Sequence, residues 1–177
     1  PPYNFDELCL QDLFIEQAAL TPNAIAVVDG ELELTYGELD LMTDKLAVFL
    51  HDEYDVGPDS VVGILMPRSV NYVIAYVAIL KAVGAYMPLE LVYPKQLLER
   101  AVDQTQAKLV LTTSPYKSRV SNKPHYCIDN IYDLLELTQA DYPKQGFSPR
   151  PNADHLAFVV MSSGTTGLPK GICQVHR

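Results

Sequence analysis

The sequence has no long apolar run, few cysteines and a deficit of positive charge, and each shortage excludes a class of function. Its longest apolar run, residues 72–80, falls far short of the ~20 residues that span a bilayer, and no basic segment precedes an apolar one at the N-terminus. Neither a membrane span nor a signal peptide is expected. Cys9, Cys127 and Cys173 are odd in number, scattered and in no C-x-x-C pair, and His51, His125, His155 and His176 are equally dispersed. That spacing offers neither a disulfide framework nor a metal-ligand set, so the thiols read as buried or idle and the compartment as a reducing, cytoplasmic one. Lys and Arg number 13 against 22 Asp and Glu, a net charge of −9. Phosphate backbones are held mainly by Lys and Arg, so a sequence-independent nucleic-acid binder is excluded, while one locally positive loop for a nucleotide is not.

With 48% hydrophobic and 20% charged residues, the composition is that of a globular protein, and 177 residues make one ordinary domain. The chain opens on Pro1-Pro2 without methionine and stops at Arg177, just past an apolar run, and so reads as a piece of something longer.

What the sequence does contain is concentrated in residues 156–176, where an apolar run enters a loop of hydroxyls, glycines and one lysine and a second short apolar run follows. Gly164, Gly167 and Gly171 allow the backbone to turn N–H groups onto an anion, Ser162, Ser163, Thr165 and Thr166 add hydroxyl donors, and Lys170 adds a positive charge. Strand, polyphosphate-binding loop, strand is the expected order. A plain surface loop has the same composition, but the Lys170-Gly171 pair after Leu168-Pro169 is more specific. The Walker loop fails, because two residues separate Gly167 from Lys170 and Gly171 stands where that motif has a hydroxyl.

Along the chain, Asn4 or Asp6 can cap a helix with Leu10, Leu13, Phe14 and Ala18 on one face; a strand over 24–28 and an Asp29-Gly30 turn follow. Thr35 and Glu38 form a capping box, and Leu34 with Leu39 a hydrophobic staple, for a helix with Leu39, Met42, Leu46 and Phe49 inside and Asp40, Asp44 and Lys45 outside. Residues 61–66 read as a buried strand, and Ser69 as the cap of a nearly all-apolar helix that Gly84 closes. Strands over 85–89, 108–112 and 126–128 alternate with helices after Pro94 and over 131–137, and 142–152 reads as a surface connection. This alternation predicts an α/β fold with a largely parallel, twisted sheet.

Met161-Ser-Ser-Gly-Thr-Thr-Gly-Leu-Pro-Lys-Gly171 resembles the phosphate loop of the adenylate-forming superfamily, which includes acyl-CoA synthetases, luciferases and the adenylation domains of nonribosomal peptide synthetases. Leu34-Thr-Tyr-Gly-Glu-Leu39, Leu80-Lys-Ala-Val-Gly-Ala-Tyr-Met-Pro-Leu-Glu90 and Tyr93-Pro94 extend the resemblance over nearly the whole chain, and are most similar to amino-acid-activating adenylation domains. Tyr36, Glu38, Lys81 and Tyr86 lie at element boundaries and read as structural. The sequence differs from the family's pattern at Glu90 (usually Asp), Leu91 (commonly Pro), Leu97 (usually Arg) and Met161-Ser162 (commonly Tyr-Thr).

The resemblance implies that residues 1–177 are the N-terminal fragment of a single larger adenylation domain, ending just after the phosphate loop. It implies ATP with Mg²⁺, a carboxylate or amino-acid substrate converted to an acyl-adenylate with release of pyrophosphate, and a phosphopantetheine carrier domain or CoA as acyl acceptor. Ser162, Ser163, Gly164, Thr165, Thr166, Gly167, Lys170 and Gly171 would bind phosphate, with Lys170 also catalytic. The adenine, ribose and substrate pockets and the late catalytic lysine of such enzymes lie downstream. An acyl-CoA synthetase, or a fragment that at most binds phosphate, is the alternative.

Overall fold

The computed structural model describes residues 9–138, 153–162 and 170–176, with Lys170 described by its backbone alone. The expected caps Asn4 and Asp6, the 142–152 connection and residues 163–169 lie outside these segments. The order is α1 (Leu10–Leu20), β1 (Ile25–Asp29), β2 (Leu32–Thr35), α2 (Tyr36–Tyr54), β3 (Val61–Leu65), α3 (Val70–Lys81), β4 (Ala85–Pro88), α4 (Lys95–Gln104), β5 (Leu109–Thr112), β6 (His125–Cys127), β7 (Leu156–Ser162) and β8 (Lys170–Val175). Ser114–Arg119 and Ile131–Glu136 are 3-10 helices; the first has no counterpart in the sequence reading, and the second was expected as an ordinary short helix.

The described residues form two sheets: the antiparallel pair β1–β2, turning at Gly30 (φ 63°), and a six-stranded sheet in the order β6-β5-β3-β4-β7-β8. All its pairings are parallel except β7–β8, which is antiparallel. Strand β3 is buried on both faces. Val62, Ile64 and Met66 join a core with α2 and α3, while Val61 and Leu65 join a second core with Leu98, Ala101 and Val102 of α4. Successive strand side chains point to opposite faces, so this alternation places α4 across the sheet from α2 and α3.

The start of α2 follows the local chemistry. Glu38 N–H donates to Thr35 Oγ1 at 3.2 Å, and Thr35 N–H donates to Glu38 Oε2 at 2.9 Å, closing the capping box. The staple pair Leu34 and Leu39 is buried beneath it. Asp40 and Asp44, expected to face solvent, instead contact Lys81 Nζ at 2.6 and 2.5 Å, and the Lys81 side chain is fully buried. An ammonium shielded from water needs such partners, so these carboxylates join α2 to the end of α3.

Helix α1 presents a different face from the one its leucines suggest. Leu10 and Leu13 are each 40% exposed, whereas Gln11 is 1% exposed. Its cap is Cys9, whose N–H donates to Asp12 Oδ2 at 3.0 Å, and Leu10 N–H donates to His176 Nδ1 at 3.2 Å, tying the helix to the chain just after β8.

Both ends of α3 also differ from expectation. Ser69 occupies the cap position, but its hydroxyl donates to Pro67 O; it is Asp29 Oδ2, from the end of β1, that accepts the Val70 N–H at 3.0 Å. At the other end Val83 (φ 63°), not Gly84, takes the left-handed conformation. Val83 N–H bonds Leu80 O and Gly84 N–H bonds Ile79 O, the paired bonds of a Schellman motif with valine in the usual glycine position. Gly84 is required for space, since a Cβ there would lie 2.8 Å from Val56 Cγ1 and 3.2 Å from Ser60 O.

Candidate nucleotide-binding site

The site begins where β7 ends. Tyr86 of β4 pairs with Phe158 of β7, and their rings stack at 5.5 Å between centroids. Beyond that rung the chain reaches Ser162, which pairs with Lys170 across the β7–β8 ladder, while Met161 pairs with Gly171. Three of the expected phosphate-binding residues, Ser162, Lys170 and Gly171, are thus brought to adjoining rungs. Gly171 stands in β8, where an added Cβ would lie 3.3 Å from Val159 Cγ1. Ser163, Gly164, Thr165, Thr166 and Gly167 fall among the residues not described.

Because β3, β4 and β7 run parallel, their carboxyl ends share one edge of the sheet. The loop therefore leaves beside the segments that follow β3 and β4, the edge at which open α/β sheets take their ligands. A cavity of about 120 Å³ lies there, lined by Arg68, Tyr72, Glu90 and their neighbours. Arg68 lies 3.6 Å from Glu90 Oε1, and its guanidinium carbon is 4.7 Å from the centre of the Tyr72 ring. The Tyr72 hydroxyl is buried without a hydrogen-bond partner among the described residues. Burial raises its pKa, against the opposing pull of Arg68.

Leu91, in a position where the resembled family commonly has proline, is held from elsewhere. Arg119, at the end of the 3-10 helix after β5, donates to Leu91 O at 3.2 Å and to Tyr93 O at 2.6 Å. Sequence reasoning missed Arg68, Tyr72 and Arg119. For Arg68 a signal exists, since it closely follows a fully buried strand, but Arg119 meets its partners only through the fold.

None of Cys9, Cys127 and Cys173 is in a disulfide, and burial, followed by Asp12, pushes the Cys9 thiol up to about 11. Among the described residues no group of three or more His, Cys, Asp or Glu could hold a metal, and no helix is long and apolar enough to cross a membrane.

A mostly parallel sheet, with a stretch rich in hydroxyls and glycines following the carboxyl end of β7, is an open α/β architecture of the kind that takes ligands at that edge. Residues 14–177 match the AMP-binding enzyme family, and the chain belongs to it. It is 37% identical over 167 residues to cyclosporin synthetase simA of Tolypocladium inflatum, covering 94% of this chain and 1% of that protein. The AMPPNP-bound structure of the nonribosomal peptide synthetase FmoA3 is 29% identical with a TM-score of 0.84, over 99% of this chain and 18% of that one. The N-terminal subdomain of Klebsiella oxytoca NpsA shares the fold, with 22% identity and a TM-score of 0.80 over 97% of this chain and 43% of that one. The chain thus spans only a small part of the curated relative and less than half of either structure.

Proposed function

We propose that the chain supplies the phosphate-binding part of an adenylation domain that activates a carboxylate, in particular an amino acid, as its acyl-adenylate. The observation that carries this reading is the pairing of Ser162 with Lys170 at the carboxyl edge of the sheet, flanking a loop of hydroxyls and glycines. In the reaction a substrate carboxylate oxygen bonds to the α-phosphorus of ATP as the bond to the β-phosphate oxygen breaks, and pyrophosphate leaves. Ser162, the loop hydroxyls and backbone, and the Lys170 ammonium would hold the β- and γ-phosphates and offset the charge that grows on the leaving group. Residues 162–171 contain donors and no carboxylate, so Mg²⁺ would arrive on the nucleotide as part of the substrate. The FmoA3 relative has been captured with AMPPNP and with α-methyl-L-serine-AMP, which supports an amino-acid substrate here.

ATP–pyrophosphate exchange tests the proposal. The 177-residue chain alone is expected to show no amino-acid-dependent exchange, while a longer chain carrying this segment with the downstream nucleoside and carboxylate sites should exchange. A longer chain that folds yet exchanges with no amino acid would overturn the reading.

A further inference from the structure

We propose that a cavity between α1 and α3 binds a small aromatic carboxamide, with Gln11 as its anchor. The cavity, of about 240 Å³, lies on the α2/α3 side of the sheet and is lined by Leu10, Gln11 and Phe14 of α1, Tyr76, Val77 and Leu80 of α3, and Tyr86 of β4. The Tyr76 and Tyr86 rings stand 5.7 Å apart, and Lys81 Nζ lies 5.2 Å from the centre of the Phe14 ring. An apolar cavity of ~150 Å³ already admits benzene. This one has room for a ring and a small polar group.

Gln11 makes the cavity more than an apolar void. It is 1% exposed, and neither its Nε2 nor its Oε1 has a hydrogen-bond partner among the described residues. Burying an amide unpaired is unfavourable, and hydrophobic burial by itself would have turned Leu10 or Leu13 inward instead. The helix nevertheless leaves those leucines 40% exposed and buries the glutamine against the cavity. A carboxamide offers one N–H donor and one carbonyl acceptor side by side and satisfies both orphan atoms at once. An ionised carboxylate cannot, because it only accepts, and a hydrocarbon satisfies neither. Aromatic walls select a ring as the remainder of the ligand.

Benzamide is the probe, with benzene and benzoate as comparators, on the 177-residue chain labelled with ¹⁵N and on its Gln11→Leu variant. Benzamide should bind saturably, shift the Gln11 side-chain amide resonances, and bind at least about tenfold more tightly than benzene or benzoate, the effect of a hydrogen-bonded pair. Gln11→Leu should melt no lower than the parent, keep its benzene binding and lose the preference for benzamide. The proposal is overturned if benzamide does not bind, if benzene binds equally well to the parent, or if the variant holds benzamide as tightly as the parent does.

Discussion

Lys81 Nζ lies 2.5 Å from Asp44 Oδ1, yet burial outweighs the attraction and pushes the Asp44 carboxyl up to about 6. An acid whose pKa is raised by folding favours the folded state when protonated. Its contribution is fully present below its unfolded pKa near 4 and is lost as pH rises through about 6. Asp44→Asn removes this titration and keeps an oxygen for Lys81 to bond. Between pH 4 and pH 7 the wild type should lose stability relative to Asp44→Asn, by at most about 3 kcal/mol. Urea unfolding of both proteins across that range checks this, and a pH-independent difference would count against it.

Gly84→Ala should destabilise the chain by about 1–3 kcal/mol, the usual penalty of overpacking. The new methyl would meet Val56 Cγ1, from the segment after α2, at 2.8 Å and Ile79 Cγ2 of α3 at 3.3 Å. A denaturant midpoint equal to that of the wild type would show that the turn can give way.

Thr35→Ala removes the side-chain half of the α2 capping box and should cost about 1 kcal/mol. It also deprives Glu38 of the Thr35 hydroxyl, one of the two groups whose hydrogen bonds lower its pKa, so the Glu38 carboxyl should titrate higher in the variant. Carboxyl carbon NMR across an acid titration reads this directly. An unmoved Glu38 would mean that the Thr35 N–H alone maintains the shift.

In an active longer chain, Lys170→Ala should lower the catalytic efficiency of pyrophosphate exchange by roughly 10- to 150-fold, the range for losing a charge-assisted hydrogen bond of about 1.5–3 kcal/mol. Ser162→Ala should cost less, because a neutral hydroxyl contributes about 0.5–1.5 kcal/mol. Equal activity of Lys170→Ala and wild type, with unchanged melting, would remove the phosphate-binding role.

Features set by neighbouring residues were legible in the sequence. The Thr35–Glu38 box, the Asp29-Gly30 turn and the alternation behind the parallel sheet all depend on contacts within a few positions, and the structure contains each. Partners chosen by the fold were not legible. No local pattern could show that Gln11 rather than Leu13 would be buried, or that Asp40 and Asp44 would turn toward a lysine about forty residues away. Gly84 does follow α3 as expected, but the left-handed residue is Val83, one position earlier, while Gly84 itself is packed closely against Val56. At the site, the loop's chemistry could be read from composition, but Arg68 and Arg119 become neighbours of the β4 exit only after three strands are assembled.

The Asp29 carboxylate, which ends β1 and accepts the first N–H of α3, makes the capping of that helix a long-range event. A helix that begins on its own serine can form its first turn early and wait for the rest of the chain. Here the Val70 N–H finds its partner only when the β1–β2 hairpin has docked, across a separation of 41 residues. The small hairpin thereby joins the cooperative unit of the large sheet. Loosening it should release α3 from its N-terminal end, so that amide exchange in the two elements rises and falls together.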